Sequence, residues 1–206
     1  MNYEKLVRYL NNKTDGVFFE AGANDGVFQS YTCRLEKELN WSGVLVEPSL
    51  TAYQACIANR PRSKVLNCAL TDQNVEAVTG DFDGNPMSSI AGKRLNRSAK
   101  VTVKATSLTK VFAEYFHGAT VDLISIDVEN YELNVLRSLD FSRFRPRFIL
   151  AEIYTASFYD VVNFLLSNNY ILISNITDFN KQNNPYWDGT HNDFLFRDLL
   201  PPRPVV

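Results

Sequence analysis

Phe18-Phe19-Glu20-Ala21-Gly22-Ala23-Asn24-Asp25-Gly26 is the stretch that decides the fold. An apolar run ends in an acid, and two glycines follow it. Glycine gives positive φ or close backbone approach at little steric cost. The stretch therefore reads as a buried strand stopping at a turn against a ligand. Free amides at the start of the next helix can face an anionic group such as a carboxylate. Further on, the apolar run Val44-Leu45-Val46 stops at Glu47-Pro48. An acid at the tip of a second strand, about twenty residues past the glycine turn, suits ribose hydroxyls. Together these features describe a site for a nucleotide-like cofactor. A dinucleotide fingerprint needs G-x-G-x-x-G, and Asn24 stands where its second glycine belongs. A phosphate P-loop is excluded, because no G-K-[ST] follows.

Strand and helix patterns alternate outward from this stretch. Leu6, Val7 and Leu10 mark a short helix within residues 1–14, ending near Asn11-Asn12. Strands are predicted over residues 16–21, 44–46, 64–68, 121–126, 147–153, 170–174 and 193–197. Helices are predicted over 31–39, 107–116, 131–139 and 158–166, with one more running from a Ser49 N-cap to Ala58. Residues 75–81 and 100–105 alternate in polarity, which predicts a small β-hairpin arm. The insertion spans 75–105 and holds a turn-rich loop, Asp83-Gly84-Asn85-Pro86-Met87-Ser88-Ser89, followed by Lys93, Arg94 and Arg97. The tail, 199–206, is Pro-rich and predicted to lack regular structure.

This alternation implies an α/β fold with a mostly parallel, doubly wound sheet. Ligands in such sheets sit beyond the carboxyl ends of the strands. Glu20, Glu47, Asp127 and Glu152 all fall at or just past such ends. At 206 residues the chain fits one domain, 1–206, with a sizeable core. A net charge of −2 provides no field for nucleic acid or a membrane surface. No stretch is long and apolar enough to span a bilayer. Cys33, Cys56 and Cys68 show no metal-ligand spacing and read as core residues in a reducing compartment. With no apolar leader segment at Met1, a cytoplasmic location is expected.

Three blocks carry a resemblance. The first runs from Phe19 to Ser49 and includes Asn24-Asp25-Gly26, Ser30-Tyr31-Thr32, Leu35-Glu36-Lys37-Glu38-Leu39, Trp41, Gly43 and Glu47-Pro48. The second is Val121-Asp122-Leu123-Ile124-Ser125-Ile126-Asp127-Val128-Glu129, with Glu132-Leu133 and Val135-Leu136. The third runs from Arg145-Pro146-Arg147 to Ala151-Glu152. Over roughly residues 16–174 the chain resembles the FkbM family of S-adenosylmethionine-dependent methyltransferases. The resemblance implies a Rossmann-like methyltransferase fold with a final antiparallel strand. It implies S-adenosyl-L-methionine as cofactor and O-methylation of a sugar hydroxyl on a glycan or oligosaccharide. It also implies a carbohydrate acceptor rather than nucleic acid, and allows for a place in a larger glycan-building protein.

By the same resemblance, Glu20, Gly22, Ala23, Asn24, Asp25 and Gly26 line the methionine end of the cofactor, and Asp127 belongs to its site. Glu47 holds the ribose and Ser30 the amino-acid portion. Ala69 and Leu70, with Asp72, border the adenine, while Ser88 and Ser89 match small polar residues of a variable loop. Two positions depart from the family pattern: Asn130 replaces its usual glycine, and Ile153 replaces a polar residue after Glu152. Asparagine tolerates the left-handed backbone that such a turn requires.

Asp127, Glu129 and Glu152 are the candidates for chemistry. Strand alternation puts Asp127 and Glu129 on one side if the strand continues. Clustered carboxylates raise one another's pKa or recruit a divalent cation, Mg or Mn, here on Asp127 and Glu152. Either arrangement helps deprotonate a weakly acidic hydroxyl. His191, in a polar loop, is a candidate general base because histidine as a residue type suits that work near neutral pH, with Asp193 in place to orient it. The competing structural roles are a helix cap for Asp127, an arginine partner for Glu152 and a surface position for His191. Tyr154, Tyr159, Tyr186 and Trp187 can stack on sugar faces. Two other functions fit the same sequence: a nicotinamide-dependent oxidoreductase, and a non-catalytic cofactor-binding domain.

Overall fold

The computed structural model describes residues 2–82, 90, 100–185 and 187–200. Ser88, Ser89, Lys93, Arg94, Arg97, Tyr186 and the tail from residue 201 lie outside the described residues. Along the chain run α1 (Tyr3–Tyr9), β1 (Val17–Ala21), α2 (Tyr31–Leu39), β2 (Ser42–Val46) and α3 (Leu50–Asn59). These are followed by β3 (Lys64–Leu66), β4 (Ala69–Leu70), β5 (Ala77–Gly80), β6 (Val101–Thr106) and α4 (Leu108–Tyr115). The second half contains β7 (Leu123–Ile126), α5 (Glu132–Arg137), β8 (Phe148–Tyr154), α6 (Phe158–Ser167), β9 (Tyr170–Asn175) and β10 (His191–Asp198).

Seven strands form one sheet in the order β3-β2-β1-β7-β8-β10-β9. Neighbours from β3 to β8 are parallel, and β10 runs antiparallel to both β8 and β9. The expected Rossmann-like sheet with an antiparallel end is therefore present. Its strand order reverses direction between β1 and β7, which is where a ligand crevice forms in such sheets.

Alternation along the strands assigns the two faces. Phe18, Leu45, Leu123, Leu150 and Leu195 pack against Leu6 and Leu10 on the α1 side, Leu35 of α2 and Cys56 of α3. Phe19, Val46, Ile124, Ile126, Ile149 and Ile153 face Phe112 of α4, Leu136 of α5 and Leu165 of α6. Each such side chain taken from water contributes roughly 1.5–3 kcal/mol to stability. Serine caps fix where three of the helices begin. Ser30, Ser49 and Ser107 accept from the amides of Cys33, Ala52 and Lys110.

The structure departs from the sequence reading at several places that bear on the site. The strand predicted over 64–68 stops at Leu66, because Asn67 turns its side-chain amide onto the Glu47 and Pro48 carbonyls. The chain restarts as β4, which pairs with β6 beside the predicted β5–β6 hairpin. The strand predicted to end at Ile126 does so, and the chain does not extend as strand through Glu129. Glu129 and Asn130 are both left-handed there, with φ of 56° and 71°. His191 belongs to β10 rather than to the preceding loop, and is paired with Tyr154.

Candidate functional site

A cavity of about 760 Å³ opens at the carboxyl ends of β1, β2, β7 and β8 and at the start of β10. Glu20, Gly22, Asn24, Glu47, Ala69 and Leu70 line one half, and Asp127, Glu129, Glu152 and His191 line the other. Ala23, Asp25, Gly26 and Ser30 are not on its wall; they build the turn behind it. Asp25 Oδ1 accepts from the amides of Val27 and Phe28. A Cβ on Gly26 would meet Arg60 Cγ at 2.7 Å and Cys56 Sγ at 2.8 Å. The close approaches that require the two glycines are thus made by protein atoms and not by a ligand. Asp72 is also off the wall and accepts from Asn134.

Behind the glycine turn lies a buried polar network that the sequence did not disclose. The Arg60 side chain is fully buried. Its Nε and Nη2 donate to Glu36 Oε2, at 3.0 and 2.8 Å, and its Nη1 donates to the Gly26 carbonyl at 3.0 Å. Glu20 Oε2 accepts from Ser30 and Thr32 and lies 3.6 Å from Arg60. Burial pushes the Glu20 carboxyl upward, and Arg60 opposes that shift. Ser30 is occupied as a helix cap and as a partner of Glu20. Only the folded chain brings Arg60, placed before Pro61, into contact with residues some thirty positions upstream.

Glu47, at the tip of β2, is almost completely buried. Its Oε2 accepts from the Asn24 amide and its Oε1 from the Ser49 amide, both at 2.8 Å. Burial raises its pKa to about 7, while the two amides pull it down. The remaining lone pairs can accept from hydroxyls in the cavity.

At the far end, Asp127, Glu129 and Glu152 each place a carboxylate oxygen within 4.8 Å of the others. The left-handed turn, not strand alternation, brings Glu129 into this group. Glu132 holds that turn, with Oε1 accepting from the amides of Val128 and Asn130 at 3.1 Å. Asp127 is not the cap of α5, whose N-cap position is Tyr131 and carries no side-chain cap hydrogen bond. Burial first, and Glu129 second, raise the Asp127 pKa well above the usual range. Burial and then Asp127 raise that of Glu152. Among the described residues Glu152 has no arginine partner: its Oε1 lies 3.4 Å from His191 Nε2, and its buried Oε2 has no hydrogen-bond partner. Such a cluster can share protons or coordinate a hard cation.

His191 is oriented differently from the sequence reading. Asp193 accepts from the Tyr31 hydroxyl at 2.9 Å. The carboxylates nearest the imidazole are those of Glu152 and Asp188. Tyr154 donates to Glu129 at 2.6 Å, and its ring centroid lies 5.3 Å from that of His191. Tyr159 is 75% exposed and off the main cavity wall. Trp187 does line the cavity, as do Phe28 and Phe179, which periodicity alone did not single out.

The donor set distinguishes between cofactors. Among the described residues no Lys or Arg lines the cavity, whereas Glu20, Glu47, Asp127, Glu129, Glu152 and Asp193 do. A dinucleotide pyrophosphate would meet carboxylates without counter-charge. A sulfonium cation bearing a neutral adenosine fits this wall, and the volume lies within the usual range for such ligands.

The comparisons agree with this geometry. Among curated proteins no sequence matches. Solved structures sharing the fold include a precorrin-6y C5,15-methyltransferase from Geobacter metallireducens (TM-score 0.55, 8% identity, 95% of this chain and 88% of that one). Another is a candidate RNA methyltransferase from Pyrococcus horikoshii (TM-score 0.53, 11% identity, 98% and 82%). A third is a SAM-dependent methyltransferase from Geobacter sulfurreducens in complex with S-adenosyl-L-homocysteine (TM-score 0.51, 8% identity, 98% and 90%). The model of the methyltransferase FkbM domain matches residues 20–172, and the chain belongs to this family of S-adenosylmethionine-dependent methyltransferases.

Proposed function

We propose that this chain methylates a hydroxyl oxygen of a carbohydrate that carries no phosphate. The observation behind this reading is the continuity of one cavity from Glu47 to His191. Glu47 would hold the ribose hydroxyls, the backbone at Gly22 and Asn24 the methionine end, and Ala69 and Leu70 the adenine edge. When bound, S-adenosylmethionine supplies an electrophilic methyl group on a sulfonium sulfur.

This chain's residues then have to position the acceptor and take up its proton. His191 Nε2 faces the cavity beside Glu152 and is the group best placed to accept that proton. Asp127 and Glu152 are both pushed toward protonation by burial and by neighbouring carboxylates. Glu129 lines the adjoining wall and is held by the Tyr154 hydroxyl. Phe28, Phe179 and Trp187 offer ring faces of the kind that stack on the apolar side of a sugar. Orientation of the acceptor supplies much of the rate in such a transfer. The carboxylate wall disfavours nucleic acid, whose binding depends on cationic side chains.

The test is transfer of labelled methyl from S-adenosylmethionine to a panel of neutral oligosaccharides and to RNA. Label in a base-stable methyl ether of a saccharide supports the reading. Label in RNA alone, or in neither substrate, sinks it. A thermal shift with NAD but not with S-adenosylhomocysteine would instead support an oxidoreductase.

A further inference from the structure

Hydrogen bonds at the Nδ1 side of the His191 ring determine which of its nitrogens carries the proton. Thr190 Oγ1 lies 2.6 Å from Asp188 Oδ1 and 3.1 Å from His191 Nδ1. A carboxylate only accepts, so the single hydroxyl proton of Thr190 is used on Asp188. The hydroxyl can then meet His191 Nδ1 only as an acceptor, which requires Nδ1 to be protonated. Asp188 is held in place as well, because its Oδ1 also accepts from the Thr190 amide at 2.9 Å. On the other side, Nε2 lies 3.4 Å from Glu152 Oε1. Trp187 Nε1 donates to the His191 carbonyl at 2.7 Å and fixes the backbone beneath the ring.

Resting on the role just given to His191, we propose that Thr190 and Asp188 are positioning residues that hold it as the Nδ1–H tautomer. This leaves the Nε2 lone pair turned toward Glu152 and the cavity. The arrangement follows the logic of an acid behind a histidine, with a hydroxyl interposed. The other charged or titratable groups around the imidazole are Glu152 and Tyr154 on β8 and Asp193 on β10, with Glu129 reached through Tyr154. Asp193 is occupied by the Tyr31 hydroxyl, and Tyr154 by Glu129. Neither competes with Thr190 for Nδ1.

The chain has only two histidines, so the ring nitrogens can be assigned without ambiguity. Nitrogen-15 spectra of the full chain, recorded where the imidazole is neutral, read the tautomer directly; exposed His117 serves as the internal reference. His191 is expected as Nδ1–H. Thr190→Val, which keeps the shape and removes the hydroxyl, is expected to shift it toward Nε2–H, and Thr190→Ser to restore it. In turnover assays Thr190→Val is expected to lower kcat roughly 100-fold, leaving S-adenosylhomocysteine affinity unchanged. A wild-type Nε2–H tautomer, or an unchanged spectrum in a folded Thr190→Val, overturns the proposal. A shifted tautomer with unchanged kcat would uphold the positioning and instead remove His191 as the base.

Discussion

The backbone of Gly22 lies so close to that of Asp127 that a Cβ on the glycine would sit 1.7 Å from the Asp127 carbonyl oxygen. With φ at +78°, Gly22 also occupies a conformation that side chains disfavour. These two residues join the ends of β1 and β7, so cofactor turn and acid cluster form one rigid unit. Gly22→Ala is expected to cost on the order of 3 kcal/mol, adding overpacking to backbone strain. Urea unfolding followed by circular dichroism measures it, and a loss under about 0.5 kcal/mol would contradict the contact.

Arg60 is fully buried among Glu36, Glu20 and the Gly26 carbonyl. Replacing it by Met leaves two carboxylates without their cation. A loss of about 3–5 kcal/mol is expected, the usual consequence of removing one partner of a buried pair. Removing Lys13, whose side chain reaches Asp122 from a more exposed position, is expected to cost about 1 kcal/mol or less. Equal effects of the two changes would argue against Arg60 as the turn's support.

Burial raises both Glu47 and Glu132 from 4.5 to about 7. Between those values the folded chain binds more protons than the unfolded one, so stability falls as pH rises through this window. Below 4.5 both states are protonated, and above about 7 the loss is complete. For Glu47 alone the loss amounts to on the order of 3 kcal/mol. Raised Asp127, Glu152 and Asp193 act in the same direction. Urea midpoints are expected to fall between about pH 5 and about pH 8, with a shallower slope in Glu47→Gln.

The same Glu47→Gln change should weaken binding of S-adenosylhomocysteine by roughly tenfold or more, because a carboxylate is the stronger acceptor for hydroxyls. Calorimetric titration checks this. Unchanged affinity would remove Glu47 from the ribose.

Treatment with EDTA is expected to leave methyl transfer intact, because His191 beside Glu152 offers a proton acceptor that needs no cation. Loss of turnover on chelation, restored by Mg or Mn, would assign Asp127 and Glu152 to a cation instead.

Much of this architecture was legible because its signals are local. Apolar runs, serine caps and turn residues depend on a few neighbours, and they placed β1, α2, β2 and α3 within a residue or two. The carboxyl-end acids were legible because strand ends in a parallel sheet share one edge. Contacts that depend on tertiary closure were not. Nothing near Arg60 predicts that its guanidinium will support Gly26, and nothing near Glu132 marks it as the clasp of the Glu129 turn. Asp193 was the obvious neighbour for His191 by spacing. Pairing with β8 brings Asp193 opposite Glu152, and its carboxylate is held by Tyr31 from α2. Asp188 and Thr190 carry a short-range signal that was present, an Asx-type turn immediately before the histidine.

The matched family segment ends at residue 172, and Phe179, Trp187, Asp188, Thr190 and His191 all lie beyond it. Glu20, Gly22, Glu47, Asp127, Glu129 and Glu152 lie inside the matched segment, whereas the connection between β9 and β10 adds Phe179, Trp187 and Asp188 to the cavity wall from outside it. Such a connection can be exchanged without disturbing Glu47 or the glycine turn. On the proposed reading, grafting the β9–β10 connection from one family member onto another is a route to new acceptors on an unchanged engine.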